Sequence, residues 1–159
     1  MESNQLLFLL DACRRGDTAD VQKACELLPE LVNAKDAKGF TPLIIAAYND
    51  QPEVVKVLLQ QGADVNGADA AGNTALMGAC FKGYPSVAQV LIEGGADVNA
   101  RNGQGAPALT FAATFGQLAI AQLLLAHGAD RHLADSRGKT PLDHARIQEN
   151  EAMIDLLRE

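Results

Sequence analysis

Apolar and polar residues alternate along this chain in blocks that recur every 33 residues. In the block at 36–68, a polar stretch ends at Thr41 and Pro42, a short apolar segment follows, and a second apolar run covers 54–59. Threonine accepts a backbone N–H at a helix start, and proline suits the first helical position because that position needs no donor. Gly62 provides the positive φ that commonly ends a helix. The block therefore predicts a turn, a short helix, a second apolar helix and another turn.

The same block occurs three times without a gap, at 36–68, 69–101 and 102–134. Residues 1–35 read as a diverged first copy, and 135–159 begin a fifth copy that stops after its second helix. Because one such unit cannot bury both of its faces, the repeat predicts a stack of neighbouring units with modified ends. We expect one continuous domain, an all-α solenoid of helix pairs linked by β-hairpin-like turns. It would have about five units, of which the first and last are caps.

The period and two motifs resemble the ankyrin repeat. The helix start T-P-L-H-x-A is matched by Thr41-Pro42-Leu43-Ile44-Ile45-Ala46 and by Thr140-Pro141-Leu142-Asp143-His144-Ala145. The ending G-A-D-x-N is matched by Gly62-Ala63-Asp64-Val65-Asn66 and by Gly95-Ala96-Asp97-Val98-Asn99. The resemblance extends over nearly the whole chain. It implies a stack of hairpin, helix and helix layers that binds a partner protein, and it leaves no segment for a separate catalytic domain.

Several positions depart from the ankyrin pattern. The histidine of the helix-start motif is replaced in every copy, by Ile44, Met77, Thr110 and Asp143. These replacements predict that the turn hydrogen bonds of the histidine are lost. Pro107 stands where a capping threonine is usual, and this change should cost about 1 kcal/mol. Gly78 lies inside a predicted helix and should cost about another 1 kcal/mol. We expect the third and fourth units to be softer than their neighbours.

Composition and charge exclude some function classes. The net charge of −7 argues against a nucleic-acid footprint, and it fits either solubility or a basic partner. The apolar run at 6–10 is too short for a secretory or membrane segment and is better read as a cap helix. Apolar residues of this run and of the predicted second helix are expected to cover the open face of the second unit. They are Leu6, Leu7, Leu9, Leu10, Val21, Leu27 and Leu28. We expect a monomer in the cytoplasm that contacts neither membrane nor nucleic acid.

Residues that carry chemistry are few. Cys13, Cys25 and Cys80 are an odd number without metal-site spacing, which favours small buried thiols in a reducing compartment. Asp143 and His144 are the one acid and imidazole pair, but neighbours on a helix point apart, and Asp143 is better placed to stabilise the helix N-terminus. We expect no catalytic residue, no metal and no cofactor.

The ankyrin resemblance implies that hairpin tips and the exposed side of the first helices line a concave groove that grips partners. Carried over position by position, it predicts these partner-binding residues: Phe40, Tyr48, Asn49, Asn73, Phe81, Lys82, Arg101, Gln104, Thr114, Phe115, Arg137 and Lys139. Ala37, Lys38, Ser136, Ile147 and Gln148 complete the predicted groove.

Aromatic residues are concentrated in this predicted groove. Tyr48, Phe81 and Phe115 end successive first helices, so packed helices would set them about 10 Å apart as a ridge. Exposed aromatic residues are common anchors of interfaces, which favours partner binding. The alternative is that the rings fold over the neighbouring unit and cover its alanines. With Lys82, Arg101, Arg137 and Lys139 as a basic rim, such a ridge would suit an acidic and partly apolar surface.

The sequence thus predicts a non-catalytic module that masks a partner's surface, for example as an inhibitor of an enzyme or toxin. An assembly scaffold that bridges two proteins and a secreted effector are the alternatives. The resemblance also implies that Asn66 and Asn99 could be hydroxylated in a eukaryotic host, although a hydrogen-bonding role in the hairpin is favoured for both.

Overall fold

Paired helices follow one another along the whole described chain. The computed structural model describes residues 3–158; residues 1–2 and 159, at the ends of the predicted first and last units, lie outside the described residues. Within that range the helices are α1 Asn4–Arg15, α2 Thr18–Leu27, α3 Pro42–Tyr48, α4 Pro52–Gln60, α5 Ala75–Lys82, α6 Pro85–Glu93, α7 Ala108–Thr114, α8 Leu118–Ala126, α9 Pro141–Ile147 and α10 Glu151–Leu157. A 3-10 helix, Pro29–Asn33, follows α2.

The helices form two layers that run the length of the stack. The first helix of each pair contacts the first helix of the next, and the second helices contact one another in the same way. Alanines such as Ala46, Ala79 and Ala112 are fully buried between the layers, so thin side chains set the close spacing of the units. The predicted all-α repeat solenoid is confirmed.

Helix starts show how the chain compensates for the missing histidines. The hydroxyls of Thr41, Thr74 and Thr140 accept backbone N–H groups at 3.2, 3.3 and 3.2 Å. The prediction that the turn hydrogen bonds are lost is wrong at two copies. The Met77 sulfur accepts from the Thr74 N–H at 3.4 Å, and the Asp143 carboxylate accepts from the Thr140 N–H at 2.9 Å. Asp143 therefore caps α9, as the sequence predicted.

The fourth unit lacks this arrangement. Pro107 precedes α7 without a side-chain cap, as predicted, and its ring nitrogen has no hydrogen to donate. Thr110, at the position of Met77 and Asp143, consequently keeps a buried hydroxyl oxygen with no hydrogen-bond partner among the described residues.

Hydrogen bonds that recur from copy to copy tie neighbouring units together. The Gly103 N–H donates to the Ala71 carbonyl at 2.9 Å, so successive hairpin tips stack in a row. On the other side of the stack, the Asn66 amide oxygen accepts the Asp97 N–H, and the Asn99 oxygen accepts the Asp130 N–H, both at 2.8 Å. The predicted hydrogen-bonding role of the two asparagines is confirmed.

The N-terminal helices are only partly as predicted. Leu6, Leu9, Leu10 and Val21 are buried against the stack. Leu7 and Leu27 were expected to cover the second unit, but they are 48% and 70% exposed because they lie on the outward side of α1 and α2. The cysteines are buried and free, as predicted, and burial raises the pKa of the Cys13 thiol to about 12.

Candidate functional site

The candidate site is the surface made by the hairpin tips and the exposed side of α3, α5, α7 and α9, which we call the groove face. Each tip is built around one acceptor side chain. In the last hairpin, one Asp135 oxygen accepts the N–H groups of Arg137 and Lys139 at 2.9 and 3.0 Å. Asp36, Asp69 and Asn102 hold the earlier tips in the same way. The groove face is therefore a rigid row of loops beside a row of helix ends.

At the N-terminal part of the groove face, Tyr48 folds onto the next unit. Its ring lies over Gly78, where a Cβ atom would stand only 2.9 Å from the ring. The Phe40 ring packs beside it, with 6.3 Å between ring centroids. Both side chains are half-buried. Burial, followed by the nearby Asp69 charge, raises the pKa of the Tyr48 hydroxyl. The packing alternative therefore describes Phe40 and Tyr48.

Phe81 and Phe115 are arranged differently. Their rings are 43% and 48% exposed, and they meet edge to face with 4.8 Å between centroids. The prediction of a ridge with rings about 10 Å apart is wrong here. One reason lies in register: Phe115 follows α7 and is equivalent to Lys82, one position later than Phe81. A second reason is that Phe111 occupies the position equivalent to Gly78, so the fourth unit leaves Phe81 no gap to enter.

Some cations of the predicted basic rim contact other groups of the chain, and others make no ion pair with the described residues. Arg101 donates to the Ala134 carbonyl at 3.2 Å and so links two units, as Lys35 does two copies earlier with the Ala68 carbonyl at 2.9 Å. The Lys82 ammonium lies 6.0 Å from the centre of the Tyr84 ring. Arg137 and Lys139 make no ion pair with any described residue. These two are the cations of the rim that remain available to a partner.

The remaining predicted groove residues are mostly used inside the chain. Asn49 donates to the Ile45 carbonyl at 2.7 Å and caps α3. Asn73 accepts from the Asn102 amide at 2.8 Å, and Thr114 donates to the Thr110 carbonyl at 2.8 Å. Asn49 is exposed, whereas Asn73 and Thr114 are half-buried.

Five residues of the predicted groove, including Ser136, meet at one cavity between the fourth and fifth units. The cavity has a volume of about 410 Å³ and is lined by Gln104, Thr114, Phe115 and Arg137 together with Asp135 and His144. The His144 Nε2 lies 2.8 Å from an Asp135 oxygen. Burial disfavours the Asp135 charge, but hydrogen bonds from His144 and from the Lys139 and Arg137 N–H groups outweigh it and lower the pKa of this carboxyl.

Sequence reasoning did not find the pair of Asp135 and His144. The only partner weighed for His144 was its neighbour Asp143, and that pair was rejected, whereas the structure pairs His144 with a carboxylate nine residues earlier. The signal available in the sequence was the repeat register, because Asp135 occupies the hairpin position that holds each tip and His144 lies on the groove side of the following helix. Across residues 3–158, no group of three or more histidine, cysteine or acidic side chains could hold a metal ion.

A second exposed surface lies at the N-terminal end. Phe8, 48% exposed, and Leu27 border an apolar cavity of about 310 Å³ with Leu28 and Leu31. We call this surface the N-terminal patch. Leu27 and Leu28 were predicted to cover the second unit, so the patch was not predicted.

Comparison with known proteins agrees with this architecture. A family model described as ankyrin repeats in three copies matches residues 9–102, and one described as ankyrin repeats in many copies matches residues 91–145. A BTB/POZ domain-containing protein 3 of Schizosaccharomyces pombe is 36% identical over 62 residues, which are 39% of this chain and 12% of that protein. An ankyrin repeat domain-containing protein 49 of Drosophila melanogaster is 39% identical over 57 residues, 36% of this chain and 26% of that protein.

The chain thus spans only a minor part of these curated relatives. None of the helices within residues 3–158 is long and apolar enough to cross a membrane. Ankyrin repeats are in general protein–protein interaction modules. The first family model covers more than half of the chain, and stacked helix pairs with hairpin tips follow its whole described length, so the chain belongs to the ankyrin repeat family.

Proposed function

We propose that this protein binds a partner protein through its groove face and has no catalytic activity of its own. The observation that carries the proposal is the exposed pair of Phe81 and Phe115, whose rings meet at 4.8 Å in the middle of the groove face. Paired aromatic rings bury a large area with little loss of side-chain entropy, which is why they dominate the energetics of many interfaces.

Charge beside the aromatic pair supports a partner of particular chemistry. Arg137 and Lys139 form no ion pair with any described residue, and the Lys82 ammonium lies over the Tyr84 ring, 6.0 Å from its centre. A basic rim next to an apolar anchor suits an acidic and partly apolar protein segment. The overall charge of −7 would repel nucleic acid, so we propose a protein as the ligand.

Binding of this kind acts by masking, and we propose inhibition of an enzyme or toxin as its concrete form. A monomer that engages one partner in a one-to-one complex would fit that role. Buried, reduced cysteines suit a reducing compartment such as the cytoplasm. We further propose that all five units act as one continuous domain.

An assembly scaffold is the second candidate, because the N-terminal patch offers another exposed surface. Phe8 and Leu27 lie in the first unit, away from the third and fourth units that carry Phe81 and Phe115. A scaffold would hold one protein on the groove face and another on this patch. Two partners in one complex, each lost by substitutions at a different surface, would favour the scaffold over the inhibitor.

Affinity capture with matched variants tests the proposal. The purified chain, a Phe81→Ser/Phe115→Ser variant and a Phe8→Ser/Leu27→Ser control are immobilised, and source-cell lysate is passed over each. Because each variant removes two exposed apolar side chains, both should stay folded, which circular dichroism checks. A partner retained by the parent and the control but lost from the groove variant is expected, since interface anchors typically contribute about 2 kcal/mol or more. Equal capture by all three proteins would overturn the proposal.

The mass of the captured complex then distinguishes an inhibitor that binds one partner from a scaffold that bridges two. Light scattering of the parent with its purified partner is expected to give a one-to-one complex. If the partner is an enzyme, its activity should fall as the complex forms and return with the groove variant.

A further inference from the structure

The cavity between the fourth and fifth units exists because two side chains there are small. Ala106 stands at the position of Phe40 and Asn73, and Thr110 stands at the position of Ile44 and Met77. Ile44 and Met77 are fully buried and fill the corresponding space in their own units. The smaller side chains of the fourth unit therefore border an opening of about 410 Å³, which is within the size range of small-ligand sites.

The walls of this opening are apolar on one side. Phe111 and Phe115 line it, and Phe111 is half-buried against the core. At the floor, Thr110 is only 6% exposed, and its hydroxyl has no partner because Pro107 supplies no N–H. A buried hydroxyl without a partner costs free energy that a bound polar atom can recover.

The charged groups at the opening are not equivalent. Asp135 already accepts two backbone N–H groups through one oxygen and pairs with His144 through the other, so it has little capacity left for a ligand. Arg137 is exposed, forms no ion pair with the described residues and lines the same opening. Ser136, also exposed there, adds a hydroxyl donor. The groups of the cavity that remain available to a ligand are thus one guanidinium and neutral hydrogen-bond donors, which lie beside aromatic walls.

We infer that this cavity binds a glutamate or aspartate side chain of the partner segment on the groove face, with its carboxylate on Arg137 and its carbon chain on Phe111 and Phe115. A guanidinium fork matches a carboxylate in geometry and charge. A doubly charged phosphate would meet a single arginine and the nearby Asp135 carboxylate, which favours the singly charged ligand. The inference rests on the proposed function, because it names one contact of the partner that the groove face would hold.

Capped dipeptides serve as probes, since they need no knowledge of the partner. The ¹⁵N-labelled full chain is titrated with acetyl-Phe-Glu-amide, with its glutamine analogue and with its phosphoserine analogue, and amide shifts are followed by NMR. We expect saturable shifts at Ser136, Arg137 and Phe115 with the glutamate peptide, and about tenfold weaker binding of the glutamine peptide. Tighter binding of the phosphoserine peptide, or no saturable shift at these residues, would overturn the inference.

Three variants locate the site. Arg137→Gln should weaken the glutamate peptide to the level of the glutamine peptide. Thr110→Met introduces the side chain that the preceding unit buries at the same position, so the fold tolerates it while the cavity is filled, and binding should be lost. Arg146→Gln removes an exposed cation from another side of α9 and should bind like the parent. Unchanged affinity of both Arg137→Gln and Thr110→Met would also overturn the inference.

The same variants separate this inference from the proposed function. If lysate capture is lost with Phe81→Ser/Phe115→Ser but retained with Thr110→Met and Arg137→Gln, the groove face binds the partner and the carboxylate pocket is refuted. If capture is unaffected by every groove variant, the proposed function itself fails.

Discussion

Tyr48 and Gly78 give a sharp test of how neighbouring units pack. Substituting Gly78 by alanine adds one methyl group in the interior of α5, where alanine is favoured over glycine by about 1 kcal/mol. That methyl would stand 2.9 Å from one ring carbon of Tyr48, with two further ring carbons at 3.1 and 3.2 Å. Contacts this short force the ring to move away from Gly78, and such overpacking costs about 1–3 kcal/mol. The two effects oppose each other.

We therefore expect Gly78→Ala to destabilise the parent by about 1 kcal/mol, because the steric cost of about 2 kcal/mol exceeds the helix gain. In a Tyr48→Ala background the obstacle is gone, and the same change should stabilise by about 1 kcal/mol. The coupling free energy between the two positions is then about 2 kcal/mol, within the range for residues in contact.

Urea unfolding of the four proteins, followed by circular dichroism, measures this double-mutant cycle. A Phe115→Ala background is the matched control, since it removes an aromatic ring of the groove face that does not touch Gly78, and there Gly78→Ala should behave as in the parent. A coupling below about 0.5 kcal/mol would refute the packing of Tyr48 on Gly78 and return Tyr48 to the exposed anchors.

Three further predictions concern single elements. Pro107→Thr should raise the free energy of unfolding, measured by urea titration, by about 1–2 kcal/mol. A threonine there would cap α7, and its N–H would give the Thr110 hydroxyl a partner. No gain in stability would refute the role of the missing cap. Gly72→Ala should lower the free energy of unfolding by at least about 2 kcal/mol more than Gly62→Ala does. Both glycines have positive φ, but only at Gly72 would a Cβ stand 2.8 Å from a backbone nitrogen. Equal losses of stability in the two variants would contradict this. Asp135, whose pKa is lowered on folding, stabilises the protein above the ordinary carboxyl range, and this stability is lost as pH falls through its lowered value. Asp135→Asn should therefore be less stable at neutral pH and lose less stability than the parent between about pH 5 and pH 2, whereas identical slopes would exclude the effect.

The fold could be predicted because most units repeat the same local signals. Thr41 and Pro42 mark the start of a helix, and Gly62 marks the end of the next one. Stacking follows because a single unit cannot bury both of its apolar faces without neighbouring units. The substitution of individual motif residues was harder to interpret. A methionine sulfur and a carboxylate at Met77 and Asp143 reproduce hydrogen bonds that a residue-by-residue comparison counted as lost.

The candidate site was predictable only in part, because exposure depends on the residue one unit away. Tyr48 and Phe81 are equivalent in the repeat, yet one ring lies over Gly78 and the other faces a unit that carries Phe111. Reading the sequence one copy at a time hides this difference. The distance between Phe81 and Phe115 also depends on side-chain directions, which helix spacing alone does not determine.

The ties between units have an evolutionary consequence. Asn66 binds the N–H of a residue 31 positions later, Asn99 does the same, and Arg101 binds a carbonyl 33 positions later as Lys35 does. The Lys35 and Arg101 links join a position to its counterpart in the following copy, and the asparagine links recur at the same offset in successive copies. Duplication of 69–101 by a single genetic event would give each new link a suitable donor and acceptor and would lengthen the groove face, whereas an inserted segment of another length would leave such links unmatched. The family can therefore change the reach of its binding surface in whole copies while the two ends stay as they are.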